Sequence, residues 1–207
     1  ALEALAAILH ACEAAGHWGL STLLVLIVLL PKADGGLRPI GLFPTVVRVW
    51  MRARLSVARA WEHEHASLVL FGGKGMGAQR AAWTTALRAE AASRQGHHYA
   101  MALLDLVKAF ERIPHSAVAA YAKRLGYNLR LLRLSLAAYR FERRVGVGGI
   151  YSRAVKATRG ITAGSTFATT ELRVMLSALV TVAFDRWPWL GLKLYIDDLT
   201  IAARALT

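Results

Sequence analysis

The chain has 207 residues, 56% of them apolar, and Lys plus Arg outnumber Asp plus Glu by 26 to 13, a net charge of +13. That length allows one sizeable core and at most two subdomains, and the cationic excess favours a polyanionic partner, nucleic acid ahead of an anionic membrane surface. The single cysteine, Cys12, excludes an internal disulfide framework and a Cys-based zinc site, and fits a reducing, intracellular compartment.

Leu2, Leu5, Leu9 and Cys12 stand at helical spacing and predict an amphipathic helix over 2–15, broken by Gly16 and Gly19. The most apolar run, Leu23 to Leu30, is far shorter than the roughly 20 residues of a membrane-spanning helix, and acidic and His residues interrupt what precedes it. A buried strand is the reading, paired as a hairpin with a second short strand after the turn-rich segment 31–40. Thr45 is the expected cap of a helix running to about Trp61. On that helix Arg48, Arg52 and Arg59 share one sector while Val46, Trp50, Val57 and Trp61 share another. Such a helix suits a scaffold facing a phosphate backbone, or simply a solvated basic face. Arg54 projects towards the apolar side and is expected to be partnered or to snorkel.

Phe71 to Gly77 forms a glycine-rich loop around Lys74 before a helix at about 78–94. It lacks the closing Gly-Lys-Ser/Thr of a P-loop; its amides could approach phosphates, or it is a plain turn. A second apolar strand is expected at 99–106, helices at 115–125 and 129–141, and an extended pair around Gly148 and Gly149. A Gly-rich turn at 160–164 leads into a helix at about 166–184, and two short strands over 192–201 carry adjacent aspartates at their junction. Strands and helices mix without a βα repeat, so the fold class is α+β.

Only 13 acidic residues are present, yet Asp105, Asp197 and Asp198 fall in strongly apolar strand contexts. An ionised carboxylate is costly to desolvate unless a cation or donor offsets the cost, and adjacent acids repel. A divalent cation shared by the pair and a third carboxylate resolves both difficulties. Hard oxygen ligands suit Mg²⁺, whose remaining positions are filled by waters and substrate phosphates. Two such ions are the working parts of nucleotidyl transfer.

Tyr195-Ile196-Asp197-Asp198 resembles the Tyr-x-Asp-Asp signature of reverse transcriptases. Leu104 to His115, with Asp105 and Phe110, resembles their first palm motif, in the form carried by non-LTR retrotransposons and group II intron proteins. Leu30-Pro31-Lys32 with Arg38-Pro39-Ile40-Gly41-Leu42 resembles the fingers motif of the same groups, and the order of motifs agrees over roughly residues 25–202. The resemblance implies that Asp105, Asp197, Asp198 and the Leu106 carbonyl hold two Mg²⁺ ions, with Mn²⁺ as a substitute. It also implies that Phe110 is the steric gate favouring dNTPs, and that Lys32 and Arg38 hold the triphosphate. Gly160 and Gly164 correspond to the glycines of the Gly-x-Pro-Gln-Gly motif, whose Pro and Gln are replaced here by Thr162 and Ala163.

The implied architecture is the fingers and palm of a right-hand polymerase, an antiparallel palm sheet backed by helices, without a thumb. Residues 1–98 would be mainly fingers and 99–207 mainly palm, with 120–160 partly fingers. The implied activity is DNA synthesis on an RNA template from a DNA primer and dNTPs, in a retroelement and without a membrane partner. Arg48, Arg52, Arg59 and Lys74 are the candidate nucleic-acid contacts. The start at Ala1 and the end at Thr207 read as those of a piece of a longer open reading frame, one that alone may not synthesise DNA. Two other readings compete. The altered 160–165 motif also suits a catalytically decayed scaffold that binds RNA without chemistry. An RNA-dependent RNA polymerase shares the palm, but Ile196 stands where those enzymes usually carry Gly.

Overall fold

The computed structural model describes residues 1–73 and 75–205. Strand β1 (Leu24–Pro31) pairs antiparallel with β2 (Leu37–Leu42), from Leu26 opposite Leu42 to Pro31 opposite Leu37. The hairpin expected from the apolar run therefore forms. Its turn closes through the Lys32 N–H on the Gly36 carbonyl (2.8 Å) and the Gly36 N–H on Asp34 Oδ1 (3.0 Å), an Asx-type turn. The other edge of β1 pairs parallel with β5 (Glu142–Val147), and β6 (Ile150–Tyr151) and β7 (Val155–Lys156) extend this first sheet.

The helices α1 (Leu2–Ala15), α2 (Thr45–Glu64), α5 (His115–Arg124), α6 (Leu129–Tyr139) and α7 (Ala168–Arg186) enclose the main core with one face of that sheet. Trp50 is its centre, edge-on to Trp18 (5.3 Å) and to Phe167 (5.4 Å). Buried indoles need a partner for their N–H. Trp18 donates to the Leu134 carbonyl (3.0 Å), Trp61 to that of Leu125 (2.8 Å) and Trp50 to Glu13 Oε1 (2.7 Å). Glu13 also receives both arms of Arg54, at 2.5 and 2.8 Å, so Arg54 is partnered as its position on the helix required. The expectation that Thr45 caps α2 is not met. Thr45 is already helical, Pro44 occupies the cap position, and the Thr45 hydroxyl accepts from Arg48 instead. Proline pre-sets the backbone for helix entry and leaves no donor unsatisfied there.

The second sheet runs β3 (Leu70–Phe71), β8 (Gly191–Tyr195), β9 (Asp198–Ala205) and β4 (His98–Asp105). Strands β8, β9 and β4 are antiparallel as expected, but β3 pairs parallel with β8, so the sheet is mixed. Leu70 and Phe71, at the entry to the glycine-rich stretch, make this extra strand, and both are buried. Helix α3 (Ala78–Arg94) is tied to the sheet by Lys193, whose ammonium donates to Thr85 Oγ1 (2.6 Å) and the Ala81 carbonyl (3.2 Å). Burial holds the Lys193 pKa down at about 8. The short helix α4 (Ala109–Arg112) follows β4. Among the described residues no helix is long and apolar enough to cross a membrane.

Candidate active site

The β8–β9 hairpin turns on two residues, Ile196 and Asp197, with Tyr195 opposite Asp198. On the far side of β9, Asp198 is opposite Asp105, the last residue of β4. Register alone thus brings the three acids, remote in the chain, to one end of one sheet. The Leu106 N–H points back at the Asp197 carbonyl (3.4 Å), and the Leu106 carbonyl accepts from Ala109 (3.1 Å) with a lone pair to spare. Asp197 has its carboxyl pKa raised, chiefly by burial and then by the charges of Asp198 and Asp105. Its own backbone N–H and the Arg38 guanidinium oppose that rise. Arg38, on the first sheet, therefore acts electrostatically on Asp197 of the second.

The desolvation argument made for all three acids holds for Asp197 alone. Asp197 is half-buried, whereas Asp198 on β9 and Asp105 at the end of β4 are exposed, β4 being an edge strand among the described residues. Among the described residues no three His, Cys, Asp or Glu side chains converge into a metal cage. The donor set is one of hard oxygens that repel each other, which fits an ion completed by waters and substrate phosphates rather than one caged by protein.

Beside this end of the sheet runs the loop 160–165, and the structure anchors it residue by residue. The Gly160 N–H donates to the Ile113 carbonyl (2.8 Å) and the Ile161 N–H to that of Phe110 (2.7 Å). The Ala163 carbonyl accepts the Gly41 N–H (2.6 Å), joining the loop to β2. Gly160 (φ +91°) and Gly164 (φ +110°) occupy backbone regions that disfavour side chains. A Cβ at Gly160 would lie 2.7 Å from the Glu111 carbonyl, and one at Gly164 would overlap the Gly41 carbonyl. Phe110, Gly160, Gly164 and Gly41 are thereby brought into one neighbourhood, with Phe110 half-buried.

Three side chains that sequence reasoning did not single out hold the same loop. His115, buried, donates from Nε2 to the Gly160 carbonyl (2.8 Å) while Arg140 donates to its Nδ1 (3.3 Å). Burial lowers the His115 pKa, the bond to Gly160 opposes that, and Arg140 and Arg143 lower it further. Arg143 donates to Thr162 Oγ1 (2.8 Å), and the Tyr139 hydroxyl lies 2.9 Å from Ser165 Oγ.

Lys32 is exposed at the tip of the β1–β2 hairpin, and no side-chain contact ties it to the acids. Arg48, Arg52 and Arg59 are exposed along α2 as their spacing predicts. Arg52 and Arg59 line an open groove of about 1280 Å³ that continues past His63, Gly72 and Gly73 to Thr166 and Thr169. Lys74 lies outside the described residues. The groove also takes in Arg173, a half-buried residue of α7 that donates to the Leu70 carbonyl (3.1 Å). Burial lowers the Arg173 pKa and the Glu62 carboxylate opposes that. A signal was available: Glu171 and Arg173 are the charged residues of α7 before Asp185.

No family model and no curated protein matches the chain. Solved structures do. Telomerase from Candida tropicalis, truncated of its C-terminal domain, superposes with a TM-score of 0.61 at 13% identity over 89% of this chain and 44% of that one. Telomerase from Candida albicans in complex with a TWJ fragment of telomeric RNA gives 0.60 at 12% over 88% and 38%. The Candida tropicalis enzyme in the corresponding complex gives 0.60 at 13% over 98% and 39%. The chain spans less than half the length of these proteins. What the likeness shows is a mixed α+β fold shared with these telomerase structures.

Proposed function

We propose that the chain carries out template-directed nucleotidyl transfer, as an RNA-directed DNA polymerase of the non-LTR or group II intron kind. The observation that carries the reading is the register that sets Asp105 opposite Asp198 with Asp197 in the adjoining turn. Asp105, Asp197, Asp198 and the Leu106 carbonyl would hold Mg²⁺, or Mn²⁺ in its place. The ions supply activation of the attacking 3′-hydroxyl and charge neutralisation at the leaving pyrophosphate. The elevated pKa of Asp197 supports a cluster that gains from a cation.

Arg38, which already acts on Asp197, would take the triphosphate by its planar fork, with Lys32 as a more mobile point charge. Gly160 and Gly164 let the loop close against the Glu111 and Gly41 backbone, which would shape it for a nascent base pair, and Phe110, bonded to the loop through its carbonyl, would exclude a ribose 2′-hydroxyl. Arg52, Arg59 and Arg173 give the groove beside α2 the charge for an RNA template, with Arg48 and Lys74 as outlying contacts. A DNA primer would approach from the exposed side of Asp105 and Asp198.

Primer extension on an RNA template with Mg²⁺ and dNTPs, in the complete open reading frame, tests the reading. Asp197→Asn is expected to cut incorporation on the order of 100-fold or more with folding unchanged. Retained incorporation rejects the assignment. A second reading, an RNA-binding scaffold without chemistry, is favoured by the open acid cluster and by Thr162 and Ala163 in place of Pro and Gln. It requires salt-dependent RNA binding with no incorporation at any metal concentration.

A further inference from the structure

Glu171 is fully buried in the first turns of α7, between Thr170 and Leu172 and one turn beyond Phe167. Its Oε2 accepts from the Tyr139 hydroxyl (2.5 Å), while Oε1, equally buried, meets no protein donor. Tyr139 is itself fully buried, and its oxygen is also 2.9 Å from Ser165 Oγ. Ser165 Oγ accepts the Phe167 N–H (3.2 Å), and the Ser165 N–H closes the loop on the Thr162 carbonyl (3.0 Å). Glu171, Tyr139 and Ser165 thus form a chain from the core to the glycine loop. None of the roles proposed above uses Glu171.

A phenol has one proton to donate. With Glu171 ionised, Tyr139 donates to the carboxylate, and the Ser165 hydroxyl must donate inward to the phenol oxygen. With Glu171 neutral, its O–H donates to the phenol oxygen, Tyr139 donates to Ser165, and the Ser165 O–H is free to turn towards the loop surface, where Gly164 and Thr166 are exposed. We propose that Glu171 is a positioning residue for loop 160–165, setting through Tyr139 whether the Ser165 hydroxyl points inward or towards a nucleotide on the loop. The nucleotide part of this rests on the polymerase reading; the relay does not.

Burial lifts the Glu171 carboxyl to about 7, while the bond from Tyr139 and the nearby Ser135 hydroxyl lower it, so both states are accessible near neutrality. Tyr139 is held well above its usual value, chiefly by burial, and stays protonated. The other polar groups packed around the pair come from every neighbouring element. They are His115 on α5 (ring 6.3 Å from that of Tyr139), Ser135 on α6 and Tyr127 before it, Glu62 on α2 bonded to Thr170 (2.6 Å), Arg140 and Arg143, and Arg173 on α7 itself. Burial pushes the His115 pKa down, away from the region in which Glu171 titrates.

The test is amide hydrogen exchange of residues 160–167 between about pH 5.5 and 8.5, corrected for intrinsic chemistry, without nucleotide, on the wild type, Glu171→Gln and Tyr139→Phe. Wild-type protection should change severalfold with a midpoint near 7. Glu171→Gln, with the same shape and no titration, should be flat. Tyr139→Phe should also be flat while the ¹³C shift of the Glu171 carboxyl still titrates, a separation that a purely structural role would not produce. A flat wild-type profile, or an inflection surviving in either variant, overturns the proposal. In the complete protein the KM for dNTP should follow the same inflection in the wild type and lose it in Glu171→Gln, with kcat little changed; a KM that ignores pH in the wild type overturns the link to nucleotide. An exchange inflection in a protein that incorporates nothing at any pH would reject the polymerase reading and sustain the relay.

Discussion

The core under the helices and the core under the acid-bearing sheet are built on different scales. The first gathers Trp18, Trp50, Trp61, Tyr139, Phe141 and Phe167 with many aliphatic neighbours, and each buried indole finds an acceptor. The second has Leu70, Val180 and Leu194 as its buried members, helped by Val69, Leu176 and Leu199 and by the Lys193 tie to α3. Its outer strand leaves Leu103 71% and Met101 45% exposed. Stability in a folded chain is local, and regions with little buried apolar area open first. The candidate catalytic carboxylates therefore sit on the part least able to hold its shape alone, whereas the glycine loop bonded to Phe110 is anchored in the larger core.

That contrast can be broken by mutation. Trp50→Ala should cost about 3–5 kcal/mol in urea unfolding and lower the whole transition, since it empties the centre of the main core and removes one donor from the Glu13 carboxylate. The pH dependence comes next in size. Glu171 has its pKa raised from 4.5 to about 7, so its contribution to stability is full below about 4.5 and is lost as pH rises through about 7, roughly 3 kcal/mol in all. His115 slopes the other way, its contribution disappearing as pH falls below the usual His range. Unfolding free energies at stepped pH should show the Glu171 slope, and Glu171→Gln should remove it.

Leu194→Ala should cost about 2 kcal/mol, at the low end for a buried leucine, because a small cluster collapses more easily. Amide exchange in β8 and β9 should accelerate well before that in α5 and α6. Uniform acceleration would mean that the two cores unfold as one and the contrast has no energetic meaning. Glu13→Ala, the smallest, should cost about 1–2 kcal/mol by leaving the Trp50 indole N–H and the half-exposed Arg54 unpaired. Thermal unfolding at two salt concentrations would separate the two, since only the Arg54 share is screened.

The element order was readable because apolar period and Gly punctuation act locally: β1, α2, α3, α6 and the β8–β9 hairpin stand within a few residues of their expected bounds. The convergence of Asp105 with Asp198 was anticipated from the cost of acids in apolar strands and from the motif resemblance, while no local rule sets the register of strands so far apart. Exposure of β4 escaped because a run such as Met101 to Leu104 looks the same whether or not a neighbour covers it. The Tyr139–Ser165 and Arg143–Thr162 bonds link residues too distant in sequence for any spacing rule. Glu171 was within reach: it sits one turn after Phe167 and three residues before Val174, both fully buried, so its face of α7 could have been identified.

Ile196 has φ +58°, a left-handed backbone that β-branched residues avoid, at the first position of the two-residue β8–β9 turn where glycine is the usual occupant. Its side chain is wedged against Gly72, where a Cβ would come within 3.0 Å of Ile196 Cγ1. The bulky residue costs the turn on the order of 1–2 kcal/mol and in exchange removes its freedom to swivel. Two carboxylates beside a swivelling tip would present a cloud of headings to a cation; the wedged Ile196 narrows that cloud.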